Sequence, residues 1–135
     1  MAGKLSIQAG TVLHVWCSHC TPPKWKYHVV AYMDPLRYLL INTQSAAFQR
    51  ANDVLMAHQV SLEKQDNPFL RHDSMLDCSQ VIGGPSLSEL EDAYLKNPSV
   101  LMGRVGSKGR RAVRSVVGKS ELLSSKEIAA ILAIW

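Results

Sequence analysis

The sequence predicts a mainly β chain of the α+β class: five or six short strands closing a small barrel or strongly bent sheet, one inserted helix and one C-terminal helix. Two observations carry this. Several short stretches alternate or concentrate β-branched and aromatic residues and end in turn formers. Only two later stretches repeat their apolar residues at the 3–4 spacing of a helix face. With 135 residues and 47% apolar content, the chain is expected to be one globular domain over residues 1–135.

The elements follow in order. Residues 9–17, AGTVLHVWC, alternate with Val12, His14 and Trp16 on one side and Leu13, Val15 and Cys17 on the other. Both sides are largely apolar, so this strand is expected to be buried on both faces or to close a barrel. Pro22-Pro23 marks a loop, KYHVVAYM (26–33) a second strand, and LRYLLINT (36–43) a third, antiparallel to the second and joined to it at Asp34-Pro35. Residues 44–57 read either as a short helical turn or as a long loop. Val60 and Leu62 alternate with Ser61 and Glu63 in a fourth strand; Gln65-Asp66-Asn67-Pro68 turns the chain, and the strand ending at Val81-Ile82 follows. Ser86 and Glu89 stand at capping-box spacing before the helix LSELEDAYLKN, which Asn97-Pro98 stops. Val113–Val117 reads as a short last strand. Ser124 or Ser125 caps the final helix, with Ile128, Ile131, Leu132 and Trp135 on one face.

The net charge of +4 is local in origin. Arg104, Lys108, Arg110, Arg111, Arg114 and Lys119 lie together with no acid among them, while nine cations and eleven acids share the rest of the chain. Such a run is the usual footprint for a polyanion. Gly103, Gly106 and Gly109 interleave it, so a solvated flexible loop is the equal alternative. No apolar run approaches the ~18 residues of a membrane helix. MAGKLSIQAG lacks the apolar stretch of a signal peptide, and three cysteines fit a reducing compartment, so a cytoplasmic protein is expected. Cys17-Ser-His-Cys20 lacks the second ligand pair that zinc needs, and Pro22-Pro23 does not supply the helix start of a redox motif. The pair therefore reads first as structural, and neither metal nor cofactor is expected.

The densest chemical cluster is Arg71-His72-Asp73-Ser74 with Asp77. Its plain alternative is a turn whose Asp and Ser side chains bond backbone groups. A triad of Ser74, His72 and Asp73 is rejected, because neighbours on an extended chain point to opposite faces. RNA cleavage asks for less. The ribose 2′-OH is an internal nucleophile, and the protein need only take its proton, stabilise the phosphorane and protonate the leaving oxygen. Lys26, His28, Thr43, Arg71 and His72 are of the right types.

As an ordered set these pieces resemble the PemK/MazF toxin family: Gly10-Thr11-Val12, Lys26-Tyr27-His28-Val29-Val30, Ile41-Asn42-Thr43, Val60-Ser61-Leu62, Asp73-Ser74, Gln80-Val81-Ile82, then Val116-Val117-Gly118 and the helix from Lys126. The resemblance implies an SH3-like barrel and a metal-independent endoribonuclease acting on single-stranded RNA. It also implies a homodimer and an antitoxin protein partner. Lys26 stands where the family has its catalytic arginine, without the planar fork that suits phosphate. Thr43 aligns with the family's active-site hydroxyl, and the helix at 87–96 and the basic run look inserted. The catalytic set expected from this is Lys26 and Thr43, facing each other across a hairpin, with His28 as proton carrier and His72 in reserve. The six cations of 104–119 would hold the nucleic acid. A catalytically inactive barrel that binds nucleic acid or a protein partner is the alternative.

Overall fold

The computed structural model describes residues 4–18, 20–43 and 47–135, with only the backbone of residues 47 and 48. Six strands form one antiparallel sheet: β1 (Thr11–Cys17), β2 (Lys24–Met33), β3 (Leu36–Asn42), β4 (Gln59–Leu62), β5 (Ser74–Ile82) and β6 (Leu101–Arg104). Their spatial order is β4-β5-β3-β2-β1-β6. The register shifts at Val12/Leu13, Val30/Tyr32 and Tyr38/Leu40. Irregularities of this kind bend strands, and the sheet curls into a half-barrel. The α+β class is as expected, and among the described residues no helix is long and apolar enough to cross a membrane.

Each face of the sheet carries its own core. On one, Val12, Val29, Ala31, Leu39, Ile41, Val60, Leu62 and Leu76 pack against Val105, Val113, Val117 and Ile131. The last four come from or precede two helices, α4 (Ser107–Gly118) and α5 (Ser125–Leu132). On the other, Leu13, Val15, Val30 and Tyr38 pack with Leu90 and Val100. Leu90 belongs to α3 (Leu87–Lys96), whose Ser86/Glu89 capping box forms as its spacing predicts. The ambiguous stretch holds two short helices, α1 (Ala47–Arg50) and α2 (Asp53–Ala57), the latter capped by Asn52; residues 44–46 of it lie outside the described residues.

One expected element is corrected. Val113–Val117 is not a strand but part of α4, and the basic run is not a loop: Arg104 ends β6, the next four cations lie in α4, and Lys119 caps that helix. Two of the three glycines that suggested flexibility serve close packing instead. A Cβ on Gly109 would stand 2.7 Å from Val105 Cγ1 and 2.9 Å from Leu62 Cδ2. A Cβ on Gly106 would stand 2.7 Å from the Asp66 carbonyl oxygen, and the Gly106 N–H donates to Asn67 Oδ1 at 2.9 Å. Gly109, Val113 and Val117 recur every four residues as the buried stripe of the helix. The strand that closes the sheet is β6, immediately before this helix and unexpected from the sequence.

The cations of the run are largely engaged. Arg104 Nε donates to the Ala9 carbonyl at 3.0 Å, and Arg110 Nη1 to the Val105 carbonyl at 2.6 Å. Lys108 pairs with Glu63 at 3.2 Å. Arg114 Nη1 donates to the carbonyls of Leu132 and Trp135, at 2.9 and 3.0 Å, closing the C-terminal end of α5. Arg114→Ala is therefore expected to lower thermal stability by about 1 kcal/mol, the scale of one net hydrogen bond. A melting curve superimposable on that of the parent would show that this cap contributes nothing.

Candidate nucleic-acid interface

β1 and β2 run past the core, and their ends carry aromatic side chains at matching positions. The register pairs His14 with Tyr27 and Trp16 with Trp25. All four point to the face of Val12 and Val29, since side chains alternate along each strand. The rings form a continuous strip. Trp16 and Trp25 meet edge to face at 5.8 Å, His14 lies 5.8 Å from Trp25 and 5.1 Å from Tyr27, and Tyr27 meets Phe69 at 6.1 Å. Trp16 is 50% and Trp25 58% exposed. The expectation that β1 is buried on both faces therefore fails at its end, where Trp16 is half exposed.

Polar groups flank the strip. Burial lowers the pKa of His14 from its ordinary value, and the charge of Arg71 lowers it further. His72 Nε2 lies 3.2 Å from Thr43 Oγ1, both residues exposed. Asp73 Oδ1 accepts from the Lys64 N–H at 2.9 Å, and Ser74 Oγ donates to the His72 carbonyl at 3.0 Å. These are the backbone bonds that Asp and Ser make at a turn, and they hold the segment that presents Arg71 and His72. Asp77 lies apart from them, buried, accepting from Gln49 and Gln59 at 3.2 and 2.9 Å and from Ser79.

The four residues expected to be catalytic separate into two pairs. The β2–β3 register joins His28 to Leu40 and Val29 to Leu39. Carried on, it sets Lys26 opposite Asn42, and Lys26 Nζ donates to Asn42 Oδ1. Thr43 is one residue further, and a shift of one position turns a side chain to the other face. The expectation that Lys26 and Thr43 face each other is corrected accordingly. Lys26 and His28 share the face of α3, where burial lowers the pKa of Lys26 and His28 is 1% exposed, edge-on to Tyr38 at 5.4 Å. Thr43 and His72 share the aromatic face.

No protein-family model and no curated protein matches this chain.

The chemistry of the strip must therefore be judged on its own atoms. Exposed rings in sequence offer π-faces to unpaired bases, and base–aromatic stacking tolerates any base. A duplex, whose bases are already stacked on one another, cannot use such a surface. Among the described residues no three of His, Cys, Asp and Glu are grouped to hold a metal ion. Sequence reasoning missed Trp16, Trp25, Tyr27 and Phe69. The signal available was the parity that sets His14 and Trp16 on one side of β1.

Beneath the same strand ends, on the α3 side, lies a cavity of about 810 Å³, lined by Val15, Cys17, His28, Leu90 and Ala93 among others, with Glu89 and Lys96 on its helical wall.

Proposed function

We propose that the protein is a metal-independent endoribonuclease for single-stranded RNA, with the aromatic strip as its substrate platform. The observation that carries this is the run of five rings beside Arg71 and the His72–Thr43 pair. Unpaired bases stack on Trp16 and Trp25 and bring the strand's phosphates toward Arg71. His14, kept neutral by its surroundings, takes the 2′-OH proton. The 2′ oxygen attacks phosphorus, and Arg71 stabilises the charge that develops there. His72, oriented by Thr43, protonates the departing 5′ oxygen. The products are a 2′,3′-cyclic phosphate and a 5′-hydroxyl end. In the same proposal the curled sheet is an SH3-like barrel, and the protein is a cytoplasmic PemK/MazF-like toxin that works as a homodimer and is held in check by an antitoxin protein.

The test is a fluorogenic single-stranded RNA incubated with the protein in EDTA. Cleavage to cyclic-phosphate ends is expected, and His72→Ala should slow it on the order of 10²–10⁴-fold, the span of one general acid. A second reading, a non-catalytic module that binds single strands, is favoured by the engagement of Lys26 with Asn42. Binding of the RNA with no cleavage of any sequence would decide for it.

The pH dependence follows from His14. Its folded pKa is lowered by burial and by the charge of Arg71, so the acid limb of the rate should lie below that of a free imidazole, whose pKa is about 6.5. As pH falls through the depressed value, the base takes up a proton and the rate drops. The unfolded chain protonates first, at about 6.5, so stability also declines as pH falls from there to the folded pKa and is constant below it. Arg71→Ala removes one lowering charge and should move the acid limb to higher pH. An NMR titration of the His14 ring in both proteins checks the order of the two values; identical midpoints would remove Arg71 from this role.

A further inference from the structure

Cys17 ends β1 and Cys20 stands in the turn beyond it, with their sulfurs 2.7 Å apart. We propose that Cys17 and Cys20 are a site of reversible disulfide formation, written and erased by a low-molecular-weight thiol–disulfide couple such as glutathione. This goes beyond the ribonuclease reading and does not depend on it.

Three observations carry the proposal. The first is proximity. The two sulfurs already lie together, so forming the bond needs little further ordering of the chain. A helix start, the usual means of activating such a pair, is absent here, and the strand end does the positioning instead.

The second is unequal access. Cys17 is 2% exposed, while Cys20 is only partly covered. The two sulfurs thus have different tasks: Cys20 meets the external disulfide, and Cys17 is placed to resolve the product. Burial and the Cys17 contact raise the Cys20 pKa, while Lys26 and Lys24 oppose that rise. The reacting thiolate is therefore a minor form at neutral pH, and the exchange is expected to be slow and to quicken with pH.

The third is contrast with Cys78. That sulfur is fully buried in the main core, with its pKa pushed up to about 12, and has no cysteine beside it. It provides an internal control within the same chain.

The chemistry balances in two exchanges. The Cys20 thiolate, its proton lost to solvent, attacks one sulfur of oxidised glutathione. A bond forms between Cys20 and that sulfur, the glutathione S–S bond breaks, and one glutathione thiolate leaves and takes up a proton. The Cys17 thiolate then attacks the Cys20 sulfur, and the second glutathione leaves in the same way. The protein loses two electrons and two protons, and one oxidised glutathione becomes two reduced ones.

The bond would bear on the aromatic strip. Cys17 pairs with Lys24 in the register, one step beyond Trp16 and Trp25. Closing Cys17 to Cys20 fixes the turn that joins those two strands, so the fluorescence of the tryptophan pair should respond to it.

The experiment is a glutathione redox titration of the intact protein, quenched with an alkylating agent and mapped after trypsin. Both cysteines fall in the peptide Leu5–Lys24. As oxidised glutathione rises, that peptide is expected to be recovered without alkyl groups and two hydrogens lighter than its dithiol form, and to return to the doubly alkylated form with reductant, while Cys78 is alkylated only after denaturation. Cys17→Ser should accumulate a glutathione adduct on Cys20, on the order of tenfold above wild type, because the resolving thiol is gone. Cys20→Ser should form neither adduct nor disulfide. If Cys17→Ser fails to fold, the wild-type mapping and the exposed Cys20→Ser variant still decide. Two free thiols in that peptide across the whole titration would overturn the proposal. So would a disulfide that joins two chains or involves Cys78, or bound zinc that protects both thiols until it is chelated.

Discussion

Replacing Trp16 and Trp25 together by alanine is expected to weaken binding of single-stranded RNA by on the order of 10²-fold or more, since each lost base stack costs about 1–3 kcal/mol. Both side chains are at least half exposed, so the fold should tolerate their removal. The single variants should each lose part of the affinity, and more than half of the double loss if the edge-to-face pair presents one surface. Anisotropy of a labelled oligonucleotide gives the affinity, and circular dichroism gives the melting point as a control. Duplex RNA of the same sequence should bind weakly to both proteins, because its bases are not free to stack. An unchanged dissociation constant in the double variant, with the fold intact, would show that the strip is not the binding surface.

That outcome would also redirect attention to the cations. Of the six in the basic run, Arg104, Arg110 and Arg114 donate to backbone carbonyls and Lys108 is paired with Glu63, and all but Arg110 are exposed. A neutral carbonyl leaves a guanidinium charged, so only Lys108 is partly neutralised, and the salt slope carried by the run should fall somewhat below that of six phosphate contacts.

Deleting residues 124–135 is expected to unfold the protein. The segment covers the main core with Ile131, which is fully buried, and with Ile128, Leu132 and Trp135 packed around it. At ~1.5–3 kcal/mol for full burial of such a side chain, Ile131 contributes that much and the three partly buried ones add less each, several kcal/mol together. Domains of this size hold only about 5–15 kcal/mol in total. The deletion also removes the Trp135 Nε1 bond to the Ala31 carbonyl, at 2.7 Å, and leaves Val113 and Val117 facing water. Ile131→Ala is the milder form and should cost about 2–5 kcal/mol. A truncated chain that still melts cooperatively within a few degrees of the parent would mean that α5 is an appendage, not part of the core.

The strands up to Ile82 and both capped helices were legible because their signals are local. Alternation in β1, turn formers at Asp34-Pro35 and Gln65–Pro68, and the Ser86/Glu89 spacing each act within a few residues. The basic run was misjudged for a local reason as well. Glycine lowers helix propensity in isolation, and Val116-Val117 favours a strand. The sheet overrides both preferences, because only glycine at 109 lets α4 approach Leu62 so closely.

The candidate site is a different matter. Sequence alone determined which face of its own strand each residue takes: His14 with Trp16, and Lys26 with His28. It could not determine how the strands align. Whether Lys26 meets Thr43 or Asn42 turns on a single step of register, and that step is fixed by how β2, β3 and the two cores fit together rather than by either strand. Trp25, left outside the strand expected from Lys26, became half of an aromatic pair only because β2 begins at Lys24 and lies beside β1. The nearness of Arg71 to His14, and of His72 to Thr43, spans long stretches of chain and has no periodicity to announce it. Tertiary structure decided those contacts, since the turn carrying Arg71 and His72 is placed by β4 and β5, on the far side of β3 from β1.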